Sequence, residues 1–218
     1  TQAGSVNILA KENTNTNMTG GGLTVGLVSA AGSVGIANVN RNVGATVSQA
    51  TINAASDVNL NSEVAGNSNL NMYQGTAGLV GLSAAYGKIA TTGNAFTTLG
   101  SSNITSSGNI NIGAKDTSGS YAQSYGLTAG AIAAGVLVTQ VTNSGETSVN
   151  LVDYNSMVSS NNINVKADKQ NTLTAKTVGG AVGLLGAGTG IASTVNDNGR
   201  AAVTIARNGS YFQGSSVT

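Results

Sequence analysis

An apolar–Asn–apolar triplet returns at nearly constant spacing and constrains the fold more than any other feature of the chain. It stands at Val6-Asn7-Ile8, Val58-Asn59-Leu60, Ile110-Asn111-Ile112 and Ile163-Asn164-Val165, with successive spacings of 52, 52 and 53 residues. A Ser or Gly lies just before it each time, as in Gly4-Ser5 and Ser107-Gly108. The rest of the unit keeps step. A glycine recurs at Gly26, Gly78, Gly130 and Gly183, and apolar residues recur at Val47, Leu99, Leu151 and Val203. Ile52 and Ile104 share an offset that Met157 misses by one. A fixed period of this kind marks stacked repeats, in which each unit buries its apolar face against its neighbours. The reading divides the chain into one segment of four repeats (1–54, 55–106, 107–159 and 160–213) with the start of a fifth at 214–218. The chain opens at Thr1 without a signal peptide, and neither end carries a polar capping repeat. The expectation is therefore a piece of a longer array.

The triplet alternates apolar and polar residues, the period-2 signature of a strand with one buried face. Residues 46–52 and 173–178 are rich in β-branched side chains and also favour strand. Clusters such as Asn196-Asp197-Asn198-Gly199 read as turns. The chain has no Pro, where roughly 5 % is usual, as expected if nearly every strand is paired on both sides. The Gly/Ala-rich stretch of each unit, 20–40 in the first and 179–195 in the fourth, places small residues every fourth position, as at Gly126, Gly130 and Ala134. That spacing fits a small-residue membrane helix or a strand. Gly, Ser, Thr and Asn interrupt every candidate span, so a strand buried on both faces is preferred. One unit laid out as strand is a path of about 170 Å. It must form either two coils or one flattened coil with a long Gly/Ala limb, and the residues leave that choice open. The fold expected is all-β, a right-handed parallel β-helix (β-solenoid) of about 52-residue repeats.

Composition removes most chemistry. There is no Cys and no His, so thiol nucleophiles, disulfides, the commonest general base and the usual zinc ligands are missing. Net charge is +1, which gives no field for nucleic acid. Glu12, Glu63, Asp116 and Asp168 fall at nearly the same place in each unit, beside Lys11, Lys115 and Lys169. They read as a solvated corner in which Lys offsets carboxylate repulsion, against a cation-binding ladder as the alternative. Calcium loops gather several carboxylates at short fixed spacing, and this chain does not. Gly186-Ala187-Gly188-Thr189-Gly190 lacks both GxGxxG and GK[ST]. Asn7, Asn59, Asn111 and Asn164 read as a stacked amide column with a structural role. Tyr73 and Tyr125 share one offset, a sparse basis for a sugar platform. The expectation is no enzyme, with no catalytic, cofactor-binding or metal-ligating residue and no cofactor.

Three kinds of segment carry a family resemblance. They are short strands such as Gly108-Asn109-Ile110-Asn111-Ile112-Gly113-Ala114, Gly/Ala limbs such as Gly179-Gly180-Ala181-Val182-Gly183-Leu184-Leu185, and polar turns such as Asn196-Asp197-Asn198-Gly199. In these the chain resembles the leukotoxin-type, filamentous haemagglutinin-like large exoproteins of Gram-negative bacteria. The resemblance covers all four repeats. It implies a right-handed parallel β-helix, export through an outer-membrane partner or a fused barrel, and a role at the cell surface. The function expected is a structural segment of a secreted surface filament or adhesin, a stalk that projects a binding region. The alternative is a subunit of a self-assembling extracellular fibre. Partners expected are adjacent repeats or further copies end to end, and surface receptors through other regions. Neither nucleic acid nor a transmembrane span in this segment is expected.

Overall fold

The computed structural model describes residues 4–206 and 210–218. Residues 1–3 of the first repeat and 207–209 of the fourth lie outside the described residues. The chain is all-β, 84 % strand with no helix among the described residues, which disposes of the helical reading of the Gly/Ala stretches. In chain order the strands are β1 (Val6–Asn13), β2 (Thr16–Val25), β3 (Val28–Ser48), β4 (Thr51–Ala54), β5 (Val58–Ala77), β6 (Val80–Gly100), β7 (Asn103–Ser106) and β8 (Ile110–Asn143). They continue with β9 (Glu146–Val152), β10 (Ser156–Ser159), β11 (Asn162–Lys169), β12 (Thr172–Asp197), β13 (Arg200–Ile205), β14 (Tyr211–Gln213) and β15 (Ser216–Val217).

Every strand pair among the described residues is parallel, and each joins a residue to its counterpart in the neighbouring repeat. Val6 lies beside Val58, Val58 beside Ile110, and Ile110 beside Ile163. Hydrogen-bonded side chains across these pairs are 52, 53 or 54 residues apart. The short strands form a separate wall in the order β14-β10-β7-β4. There Ile52, Ile104, Met157 and Phe212 stack, so the apparent one-residue displacement of Met157 is absorbed in the connection before it. One alignment is corrected. Leu151 pairs with Ile205, and Val203 pairs with Val149 instead, because the offset has grown by this point.

Each repeat runs out along one long limb, turns, runs back along a second, and closes through the short strand. In the second repeat the outward limb is β5 and the return limb is β6. Gly78 and Leu79 lie between them. Where three walls meet, the space is wide enough for branched side chains. Leu60, Leu99, Ile104, Ile112, Leu151 and Met157 are buried there in one cluster. Complete burial of such a side chain contributes about 1.5–3 kcal/mol. Nearer the turn only the two limbs remain, face to face. The space narrows to Leu70, Met72, Ile89 and Val141, and then to small residues. Gly87 and Gly126 permit the approach, since a side chain there would press on Ser124 and run into Leu137 respectively.

The stretch 46–52, read above as one strand, is broken. Gln49 has φ of 54°, and Ser101 and Asp153 take similar values of 47° and 60° at the matching corner of the next repeats. One left-handed residue turns the chain from the return limb into the short wall, a conformation that non-glycine residues adopt rarely and at some cost. The corner is fastened from inside. Ala50 N donates to Ser102 Oγ, Ser102 N to Asn155 Oδ1, and Asn155 N to Ser210 Oγ. Asn155, fully buried, also donates its amide to the carbonyls of Leu99 and Val152.

Candidate functional site

The register brings the four triplet asparagines into one column. Asn59 Nδ2 donates to Asn7 Oδ1 at 2.7 Å, Asn111 to Asn59 at 2.8 Å and Asn164 to Asn111 at 2.8 Å. Thr218 Oγ1 adds a bond to Asn164 Oδ1 at 2.9 Å. The column lies on the outer face, because the flanking Val58, Leu60, Ile110 and Ile112 point inward. Each amide uses one oxygen and one nitrogen along the stack, so the column fastens coils together. A second amide pair, Asn69 to Asn17 at 2.8 Å, has no counterpart among the later repeats, where Tyr121 occupies the register position. Without recurrence it carried no sequence signal.

Asn111→Asp is expected to lower the melting temperature by a few degrees. It removes the donor to Asn59 and sets a carboxylate against that oxygen, a loss of about 1 kcal/mol. Because the folded state disfavours the charged form, the pKa of the introduced carboxyl would rise on folding. The deficit should therefore be complete near neutral pH and vanish as pH falls below about 4. Melting curves of the two proteins across pH check both parts. Coincident curves at neutral pH would contradict the column.

The acidic positions do not form a single column. Lys11 pairs with Glu63, Glu63 with Lys115, and Lys115 with Asp168, so one outer column alternates in sign. Lys11 Nζ lies 2.8 Å from Glu63 Oε2. Glu12 and Asp116 sit one position further on, at a register shared with Val64 and Lys169. A shift of one residue along a strand changes the face, so this second column points inward. Asp116 and Lys169 form an ion pair at 2.6 Å with side chains only 8 % and 6 % exposed. Ser118 N also donates to the Asp116 carboxylate at 3.0 Å. The solvated-corner reading thus holds for Glu63 and Asp168 but not for Asp116. On the outside, Lys166 donates to Asp168 and holds that carboxyl below its ordinary pKa, with Gln170 adding to the effect. No group of three or more Asp and Glu side chains able to share a metal ion occurs among the described residues.

Among the described residues, Arg41 is the one interior charge that the repeat pattern did not announce. It is 1 % exposed and points into the narrowing of the first coil. One Nη atom donates to Thr14 O at 3.1 Å and to Ser68 Oγ at 3.0 Å, while Nε and the other Nη have no partner. Burial pulls its pKa below the usual arginine value, and the charges of Asp116 and Glu12 oppose that shift.

The Gly/Ala limbs are corrected in one respect. They are not buried on both faces. Ser83, Ala85 and Gly87 of β6 face inward, while Leu82 and Ala84 face solvent. Thr128 faces inward and Leu127 outward on the paired limb of β8. Some of the hydroxyls inside pair with one another, Ser83 with Thr128 at 2.6 Å, Thr139 to Ser124 at 2.9 Å and Thr177 to Thr139 at 2.7 Å, whereas Thr76 Oγ1 has no partner. Between the limbs there is room only for small side chains, so the larger apolar ones stand outside. Tyr73 and Tyr125 stack with ring centroids 5.6 Å apart and 10° between planes, and Lys176 lies 6.0 Å from the Tyr125 centroid. Tyr125 is thus flanked on both sides, while Tyr73 remains 48 % exposed. Among the described residues, no helix is long and apolar enough to cross a membrane. Comparison of the chain with protein-family models, curated proteins and solved structures gives no match.

Proposed function

We propose that this segment is a structural length of a secreted bacterial surface filament or adhesin, a stalk that projects a binding region carried elsewhere. Each repeat of about 52 residues makes one flattened, right-handed coil, the hand favoured for parallel crossover connections. The observation that supports the reading is the unbroken asparagine column, which ties all four coils on their outer face. Stacked coils with main-chain pairing and side-chain ladders at every level make a stiff rod. Glu63, Asp116 and Asp168 are each neutralised by a Lys, which suits a scaffold. The leukotoxin-type, haemagglutinin-like resemblance fits the same role.

The test is antibody labelling of intact source cells with serum raised against this segment. Label on unpermeabilised cells, along projections from the surface, is the expected result. Label only after permeabilisation would overturn the reading. The second reading is a subunit of a self-assembling fibre, favoured by the parallel, in-register stacking of strands with an asparagine ladder, an arrangement that cross-β fibres share. Light scattering over a wide concentration range separates the two. The stalk holds one mass, whereas the fibre subunit grows and stops growing when a charged capping coil is added at each end.

A further inference from the structure

The two central coils, whose strands are paired on both sides, show an inverted distribution of polarity near their turns. Inside lie the hydroxyls of Thr76, Ser83 and Thr128. Outside stand Leu82 at 45 %, Leu127 at 57 %, Ile132 at 49 % and Val136 at 55 % exposed, with Leu79 at 59 % at the turn itself. No Asp, Glu, Lys or Arg occurs in 64–87 or 117–145, so the whole outer end of these coils is free of charge. The charged residues of these two coils all lie further from the turn, Lys88 being the nearest to it. A contiguous exposed apolar surface of this kind marks an interaction site.

Its shape selects the occupant. Leu127 projects from one face of the flattened coil, Leu82 and Val136 from the other, and Leu79 from the edge between them. A folded partner, including a second copy, would cover one face and leave the other wet. A fluid apolar medium covers all three. The border of the apolar zone supports the same occupant. Tyr73 and Tyr125 close it on one face and Tyr86 on the other. Going away from the turn, the next outward position carries Lys88 beyond Tyr86, and Lys176 lies beside Tyr125. Apolar, then aromatic, then basic is the order that a membrane interface selects. The path from Gly78 to Tyr73 is about 17 Å at roughly 3.3 Å per residue, close to half of the ~30 Å hydrocarbon thickness. That depth suits entry into one leaflet, with the tyrosines and lysines at headgroup level.

We propose that the Gly/Ala limbs form a fin that inserts edge-on into a lipid surface, with Leu79 and its equivalents in the acyl region. The inference stands apart from the stalk reading: its failure would leave surface labelling unchanged. In the two central coils main-chain pairing on both sides satisfies the backbone along the fin, as burial in lipid requires.

The experiment is co-sedimentation of the whole segment with phosphatidylcholine vesicles, with and without phosphatidylglycerol. Binding to both is expected. The double variant Leu79→Ser with Leu127→Ser should bind at least about tenfold more weakly with an unchanged circular-dichroism spectrum, since both side chains are exposed. The chain has no Trp, so Leu79→Trp supplies a reporter in an otherwise native fin. Its emission should shift to the blue on vesicles and be quenched by lipids brominated in the acyl chain. Absence of binding to either vesicle would overturn the proposal. So would binding only to the anionic vesicles that salt abolishes and the serine variant retains, which is surface adsorption. Self-association without lipid, lost in the serine variant, would identify a second copy as the occupant and overturn it equally.

Discussion

Gly145→Ala is expected to lower the denaturant midpoint sharply, by about 4 kcal/mol or more in stability. Gly145 is buried at the point where the third coil passes over Gly93 of the second. A Cβ there would overlap the Gly93 carbonyl oxygen and press on its carbonyl carbon at 3.1 Å and nitrogen at 3.2 Å. All three obstructing atoms are main chain, so no rotamer change relieves them, and the coils must separate locally. Losses of this size come from a short set of causes, and backbone strain at a packed position is one. The comparison is Gly186→Ala, where a Cβ meets nothing within 4 Å. There the substitution should change stability by no more than about 0.5 kcal/mol, or raise it through lost unfolded-state entropy. Urea unfolding of the three proteins checks the pair. Equal midpoints for both variants would show that the coils are not packed as described.

Arg41 supplies the second large effect, and its size depends on the replacement. Arg41→Ala leaves a cavity in the narrowing of the first coil and strands Ser68 Oγ and Thr14 O, at an expected cost of about 3 kcal/mol. Arg41→Met keeps most of the volume and removes a buried charge whose Nε and one Nη have no partner. Asp116 keeps Lys169 at 2.6 Å and the Ser118 amide, so it is not stranded by the change. Replacing a buried, incompletely paired charge by a packed apolar side chain is often neutral or stabilising. The methionine variant leaves Ser68 Oγ and Thr14 O without the guanidinium as alanine does, but it adds no cavity, so it should melt near the parent temperature while the alanine variant melts well below it. A methionine variant as unstable as the alanine one would mean that the charge itself holds the coil.

The residues legible in the sequence are those that recur. The asparagine column, the turn glycines and the apolar line of Ile52, Ile104 and Met157 repeat because each coil meets the same constraint at the same place. What escaped does not recur, or its residue types do not separate inside from outside. Arg41 occurs once, and its register partner is Gly93, so periodicity gives no hint of a buried guanidinium. The left-handed corner is filled by Gln49, Ser101 and Asp153, three residue types with no glycine to mark it. Glu63 and Asp116 look equivalent along the chain yet stand one register position apart, and that single step sends one outward and the other into the core. In the fin, Gly, Ala, Ser and Thr alternate with Leu and Val. A rule that places the apolar set inside assigns the faces backwards where the interior is too narrow for Leu.

Each residue pairs with its counterpart one repeat away, in a single flattened coil. Disulfide trapping tests it most directly, in a chain that has no cysteine of its own. Asn59→Cys combined with Asn111→Cys places two thiols on directly paired strands, with Cα atoms about 4.8 Å apart, inside the range that a disulfide spans. Asn59→Cys combined with Ala85→Cys tests the arrangement with two coils per repeat, which would bring those positions together instead. Under mild oxidation of the folded protein, the first pair should close rapidly and the second stay reduced. Closure of the 59–85 pair, with the 59–111 pair remaining open, would contradict the account.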